Sequence, residues 1–253
     1  LERDSRHELA DVQTTLQRAG DGYVLNGAKA LVFNGAAADQ LVVSARSSSG
    51  RFDEAGLSLV RIDADAAGVE RTMLQLMDGQ WVANLRFDHV HVAPSQLLFA
   101  PGEGYAPLLD AVRDSTLALC AEAFGIMQVL QATTLDYVKT RKQFGVTIGS
   151  FQVLQHRLVD MYTALEQTRS LLYRAVCSAG EGSSEAERDL RALKVMVGKA
   201  GRLIGGEAIQ MHGGMGMTDE LAVGPCMKRL MVINTTFGDA AWQRQKFVAL
   251  ANA

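Results

Sequence analysis

Cysteine is scarce in this chain of 253 residues, and the three present, Cys120, Cys177 and Cys226, lie far apart with no CxxC pair. That excludes a disulfide framework and a paired-thiol zinc site, and reads as reduced, buried thiols of a cytoplasmic protein. A surplus of one charge is also missing. The formal net charge is −3, the pI is near 6.0 and the basic residues are dispersed, so nothing asks for nucleic acid. No uninterrupted apolar run approaches the ~20 residues of a membrane span. The opening residues Leu1 to His7 carry neither a signal-peptide core nor a starting methionine, which suggests a piece of a longer protein. What is present is ordinary globular composition, 48% hydrophobic. The length allows one or two domains at roughly 100–200 residues each, enough to bury a core unaided.

The two halves of the chain differ in period. In the first hundred residues, Tyr23–Leu25 and Ala30–Phe33 flank Asn26-Gly27, a pair suited to a tight hairpin turn. Residues 40–45, 57–62 and 82–92 read as further strands. In the last of these Leu85, Phe87, Val90 and Val92 alternate with polar residues, and the step from Phe87 to Val90 breaks the period, which predicts a bulge. After Pro94 and Pro101 the period becomes helical. Phe151, Leu154, Leu158, Met161, Leu165, Thr168 and Leu172 form a seam at steps of three and four. Residues 108–137 and 186–211 carry similar faces, a Gly/Ser break falls at 180–184, and a short last helix is expected over 239–250. No internal repeat appears. The fold class is therefore α+β: a β-barrel or sandwich over 1–98, then an antiparallel four-helix bundle over 99–253.

Three segments bear on chemistry. Arg141-Lys142-Gln143-Phe144-Gly145 joins two long helices; two cations and an aromatic suit a phosphate and a base, but spacing alone favours a helix C-terminus with a glycine cap. Gln210-Met211-His212-Gly213-Gly214-Met215-Gly216-Met217 ends a helix in a glycine-dense turn, where a ligand can approach the backbone or the chain can simply reverse. Thr235-Thr236-Phe237-Gly238-Asp239 opens the last helix, with Asp239 placed to cap it. His156 and His212 read as structural, and Met211, Met215 and Met217 as packing residues.

Taken in this order, these segments resemble the acyl-CoA dehydrogenase family. The chain has its RK-x-FG motif, the Phe151-Gln152 pair opening the following helix, the Q-x-x-GG-x-G turn at 210–216, the G-Y-x-L-N-G-x-K pattern at 22–29 and the L-x-F-D-x-V-x-V strand at 85–92. The resemblance covers essentially the whole chain, and implies a partial middle β-domain plus the C-terminal bundle, with the family's N-terminal helical domain absent. It further implies FAD, an acyl-CoA substrate, an electron-transferring flavoprotein as acceptor, and a homo- or hetero-tetramer. By the same resemblance Arg141 contacts the FAD pyrophosphate, Phe144 packs near the dinucleotide, Gln152 meets a polar group on the flavin side, and Gln210, Gly213 and Gly214 line the adenosine end.

Two positions depart from the family. The reaction removes an α-proton with a carboxylate while a hydride leaves the β-carbon, and the family's usual glutamate position is Phe237, which takes no proton. The alternative site on the first bundle helix is Ser115, with Asp114 beside it but turned about 100° on a helix. Asp239, two residues past Phe237, is the favoured substitute base, and its reading as a helix cap stands beside that one. The family's aromatic and threonine flanking the flavin ring are Leu31-Val32-Phe33 here; Phe33 replaces the packing and not the hydrogen bond. Within the family the chain most resembles small subunits of heteromeric enzymes, so a flavin-binding subunit whose partner supplies the base is the competing reading.

Overall fold

Strand-forming residues with one buried face account for the first part of the chain. The computed structural model describes residues 1–218 and 220–251, which divide into two compact units, Leu1–Val112 and Arg113–Ala253. In the first unit β1 (Thr15–Ala19), β2 (Gly22–Phe33), β3 (Gln40–Arg46), β4 (Leu57–Asp63), β5 (Val69–Gln75) and β6 (Trp81–Val92) form one sheet in the order β4-β3-β1-β2-β6-β5. All pairings are antiparallel except β1 with β3, which meet in parallel at Thr15 and Arg46. Leu16, Leu25, Val43, Val60, Ile62, Leu85, Phe87 and Val90 pack into its core. Each contributes about 1.5–3 kcal/mol when fully buried.

The Asn26-Gly27 turn is not formed, which corrects the hairpin expectation. β2 runs unbroken through both residues, and the reversal before it is made at Gly20-Asp21. Gly27 has φ +145°, and a Cβ there would lie 2.6 Å from the Thr14 Cα, so the glycine serves a close backbone approach. The bulge expected between Phe87 and Val90 is present. The register with β2 shifts there, His89 takes φ +52°, and its N–H donates to the Asn26 side chain at 2.8 Å.

One buried ion pair pins the start of the chain to this sheet. The Glu2 carboxylate accepts from the backbone N–H of Gln13 at 2.7 Å and of Thr14 at 2.9 Å, and from Lys29 Nζ at 2.8 Å. Lys29 also donates to Ser44 Oγ at 3.1 Å. Burial pushes the Lys29 ammonium below its usual range, and Glu2 opposes that shift.

The helices are α1 (Tyr105–Thr140), α2 (Gln152–Gly180), α3 (Ala186–His212), α4 (Val223–Thr235) and α5 (Ala240–Ala251). The α2 seam is buried from Leu158 through Leu172, against Met127 and Leu130 of α1, Leu193, Val197 and Ile204 of α3, and Leu230 and Ile233 of α4. By length and composition alone α1 would also suit a membrane crossing, as the core helix of a bundle does. Among the cysteines Cys120 is buried, Cys226 half-buried and Cys177 exposed, so the expectation of three buried thiols holds for Cys120 only. Likewise Met211 is buried, whereas Met215 and Met217 are exposed and do not pack in the core.

Candidate functional site

The α1–α2 connection is a two-stranded hairpin, β7 (Lys142–Gln143) with β8 (Val146–Thr147), whose tip is Phe144-Gly145. Both tip residues have positive φ, +54° and +80°, the geometry of a two-residue hairpin loop. Phe144 is 90% exposed and touches the Phe151 ring edge-on, with centroids 6.2 Å apart. Arg141 and Gln152 are exposed, and among the described residues neither side chain has a protein hydrogen-bond partner. An unspent guanidinium is suited to a phosphate, which it can hold through two parallel N–H donors.

The glycine turn lies at the same end of the bundle. Tyr137, one turn before Arg141, stacks on His212 with centroids 4.2 Å apart, and its hydroxyl donates to the His212 carbonyl at 3.4 Å. His212 is buried and its Nδ1 lies 2.8 Å from the Ala208 carbonyl, so it is a structural residue, as expected. Through this pair α1 holds the backbone of Gly213 and Gly214 beside the hairpin base. A Cβ at either glycine would meet nothing within 4 Å, so their backbone faces open space. Gln210 is exposed, again with no side-chain partner among the described residues. The structure therefore gathers Arg141, Gln152, Gln210, Gly213 and Gly214 at one end of the bundle. Tyr137, which joins them, was not singled out from the sequence. Its signal, an aromatic one turn before the cation, is too common to find it.

Phe237 and Asp239 lie elsewhere. They occupy the α4–α5 junction, which packs against α3 at Lys194 and Gly198; a Cβ on Gly198 would be 2.3 Å from Asn234 Oδ1. Gly198 and His212 lie fourteen positions apart on α3, about 21 Å at 1.5 Å per residue. Phe237 has φ +55°, costly for a residue with a Cβ, on the order of 1 kcal/mol. Its carbonyl accepts from Gln243 Nε2 at 2.7 Å. Asp239 Oδ1 accepts from the Trp242 N–H at 2.8 Å, the N-cap arrangement at the start of α5. Among the described residues its second oxygen has no donor. Asp114 and Ser115 are both exposed on α1.

Lys194, also not singled out from the sequence, is fully buried under this junction. Its ammonium donates to the carbonyls of Ile233 at 2.7 Å and Asn234 at 3.0 Å, in the last turn of α4. Burial lowers its pKa to about 8, while Cys120 and Asp239 favour its charge. In the β unit, Phe33 is 42% exposed at the end of β2, with Leu31 at 51%, so an apolar surface stands where the expected flavin-side aromatic was placed.

A six-stranded mixed β unit is thus followed by a helical bundle that brings a cation-bearing hairpin and a glycine-dense turn to one end. Comparisons with known proteins identify this arrangement. The family model for the acyl-CoA dehydrogenase middle domain matches residues 2–90, and that for its C-terminal domain matches residues 102–249. The L-prolyl-peptidyl-carrier-protein dehydrogenase of a Serratia species is 31% identical over 226 residues, covering 88% of this chain and 58% of that protein. The mitochondrial 2-methylacyl-CoA dehydrogenase of Solanum tuberosum is 28% identical, covering 96% and 59%. Among solved structures, the FAD complex of PigA has a TM-score of 0.93 at 28% identity, covering 99% of this chain and 66% of that one. The acyl-CoA dehydrogenase of Geobacillus kaustophilus has a TM-score of 0.93 at 26% identity, covering 100% and 67%. The chain belongs to the acyl-CoA dehydrogenase family. It spans 58–59% of the length of these two curated relatives.

Proposed function

We propose that this chain is the flavin-binding portion of an FAD-dependent dehydrogenase that introduces a double bond between the α- and β-carbons of an acyl thioester. The observation carrying this reading is the set of unspent polar groups around the Tyr137–His212 stack. Arg141, Gln152 and Gln210 are exposed without partners, next to open glycine backbone. In a protein with no ligand to hold, long side chains and bare backbone gain nothing from this convergence. Arg141 would pair with the pyrophosphate, Phe144 would pack against the dinucleotide, and the backbone of Gly213 and Gly214 would admit its adenosine end. Phe33 would pack on the flavin side. When bound, FAD supplies the acceptor for the hydride that leaves the β-carbon.

The chain's own part in the chemistry is the α-proton. Asp239 is the candidate base: one carboxylate oxygen is fixed by the Trp242 N–H, and the second is left to take a proton. An acyl-CoA is the substrate class, an electron-transferring flavoprotein the acceptor, and a homo- or hetero-tetramer the assembly. Phe237 supports a second reading, in which this chain binds flavin and a partner subunit supplies the carboxylate.

The test is anaerobic flavin bleaching by acyl-CoA, with the full-length protein alone and with the product of its neighbouring gene. Bleaching by the protein alone that is lost in Asp239→Asn supports the first reading. Bleaching only with the partner, unchanged in Asp239→Asn, replaces it with the second.

A further inference from the structure

Three side chains, Lys194, Gln243 and Arg191, converge on the α4–α5 junction, and none of them belongs to the residues gathered at the other end of the bundle. Lys194 is 0% exposed and spends two donors on the Ile233 and Asn234 carbonyls. Gln243, 5% exposed, holds the Phe237 carbonyl through Nε2, and its Oε1 accepts from Arg191 Nη1 at 3.0 Å. Arg191 is itself paired with Glu187 and lies over the Trp242 ring, 5.6 Å from its centroid. The junction is thus gripped before the turn, at its strained residue and at the first turn of the next helix.

Burying a cation to cap a helix is an expensive way to satisfy two carbonyls. Water or a neutral side chain does so at lower cost, and an unpaired buried ammonium is penalised by several kcal/mol. Among the described residues no carboxylate is hydrogen-bonded to Lys194. The acidic groups that face it electrostatically are Cys120 from α1 and Asp239 from the junction. The strain at Phe237 likewise persists only because its surroundings over-determine it.

We propose that Lys194, with the Arg191–Gln243 pair, is a positioning residue that fixes the Phe237–Asp239 segment for proton abstraction. This rests on the reading that the α4–α5 junction borders the reacting thioester. Lys194 does not touch the substrate; it holds the end of α4 and places a positive charge behind the segment. Above pH 8 that charge is lost, the two hydrogen bonds are no longer charge-assisted, and the field behind the Phe237–Asp239 segment changes.

The experiment compares wild type, Lys194→Met, Gln243→Leu and Asp239→Asn as purified flavoproteins. It records the rate of flavin bleaching by acyl-CoA from pH 6 to 10 and amide exchange at residues 234–243. Wild type is expected to lose rate as pH rises through about 8. Lys194→Met is expected to be slower by about tenfold or more at pH 7, as misplacement of a reacting group entails, and to lack the step near pH 8. A loss of stability alone would slow neither the bleaching of folded protein nor remove that step. Lys194→Met protein that keeps the wild-type rate and pH profile overturns the proposal. Should Lys194→Met not fold, Gln243→Leu decides: it must slow bleaching and raise exchange at Phe237 and Gly238, and unchanged behaviour overturns the proposal. Asp239→Asn separates the two ideas. If it bleaches normally while Lys194→Met is slow, the base assignment fails and the positioning role stands; the reverse pattern overturns the positioning role. If neither variant is slowed, the junction is remote from the chemistry and both fail.

Discussion

At Gly238 the backbone has φ +100°, and a Cβ would sit 2.4 Å from Trp242 Cε3. Gly238→Ala therefore meets both backbone strain and an aromatic ring that is itself held by Arg191 and Lys246. It is expected to cost about 2–4 kcal/mol, read as a lowered midpoint of chemical denaturation. Glu2 offers a second case. Glu2→Ala strands Lys29 in the sheet with only Ser44 Oγ as partner and frees two backbone N–H groups. A loss of about 3–5 kcal/mol is expected. Glu2→Ala together with Lys29→Met should recover much of it, and a double variant no more stable than the single one would show that the N–H groups carry the cost. These residue-level features were only half legible. Gly27 and Asn26 stood out in the sequence, yet as a turn. What they serve is a close approach to Thr14 and a side-chain cap on the β6 bulge, and both partners are non-local.

Among the elements, those with a strong apolar period were readable: β3, β4, β6, α2 and α3 lie within a few residues of their expected bounds. Those that were missed lack such a period at the point where it is needed. β5 is an edge strand with six of its seven residues exposed, so it has no buried face to alternate. α4 begins Val223-Gly224-Pro225, which reads as a loop, although proline is tolerated in a helix's first turn. The motifs at the α1–α2 hairpin and the glycine turn were legible because they are local runs. The pair that joins them, Tyr137 with His212, was not, since it is made across two helices. Its role gives a prediction at this scale: Tyr137→Leu removes the ring stack and the hydroxyl donor. About 1 kcal/mol of stability should go with the stack. The protein should also retain less FAD through gel filtration, while unaltered retention would mean that the two motifs hold their places without the stack.

For the whole molecule, two buried groups on facing helices make stability depend on alkaline pH in opposite directions. Lys194 titrates near 8 in the folded protein against 10.5 ordinarily. Between those values the unfolded chain holds a proton that the native state lacks, so stability rises with pH. Cys120 is pushed up by burial to about 12 from 9.0. Between those values the native state holds the extra proton, so stability falls. The curve should therefore rise from pH 8 to about 9, flatten where the slopes oppose, and fall beyond 10.5. Each slope is about 1.4 kcal/mol per pH unit at most. Cys120→Ala is expected to extend the rise towards 10.5, and Lys194→Met to abolish it, both read from denaturation midpoints across pH. Identical curves for the two variants would mean that neither group dominates the linkage.

The length of α3 between Gly198 and His212 sets a further condition. An α-helix is stiff over this span, so it acts as a ruler of about 21 Å, with the glycine turn at one mark and the α4–α5 junction at the other. A compact ligand can read only one of those marks. A molecule that engages both must be extended along the helix, with its anionic part towards Arg141 and its reactive part towards Asp239. If each mark instead serves a different molecule, shortening α3 by one turn would leave affinity at the glycine turn intact. If one molecule spans both, the same deletion would cost it one end or the other.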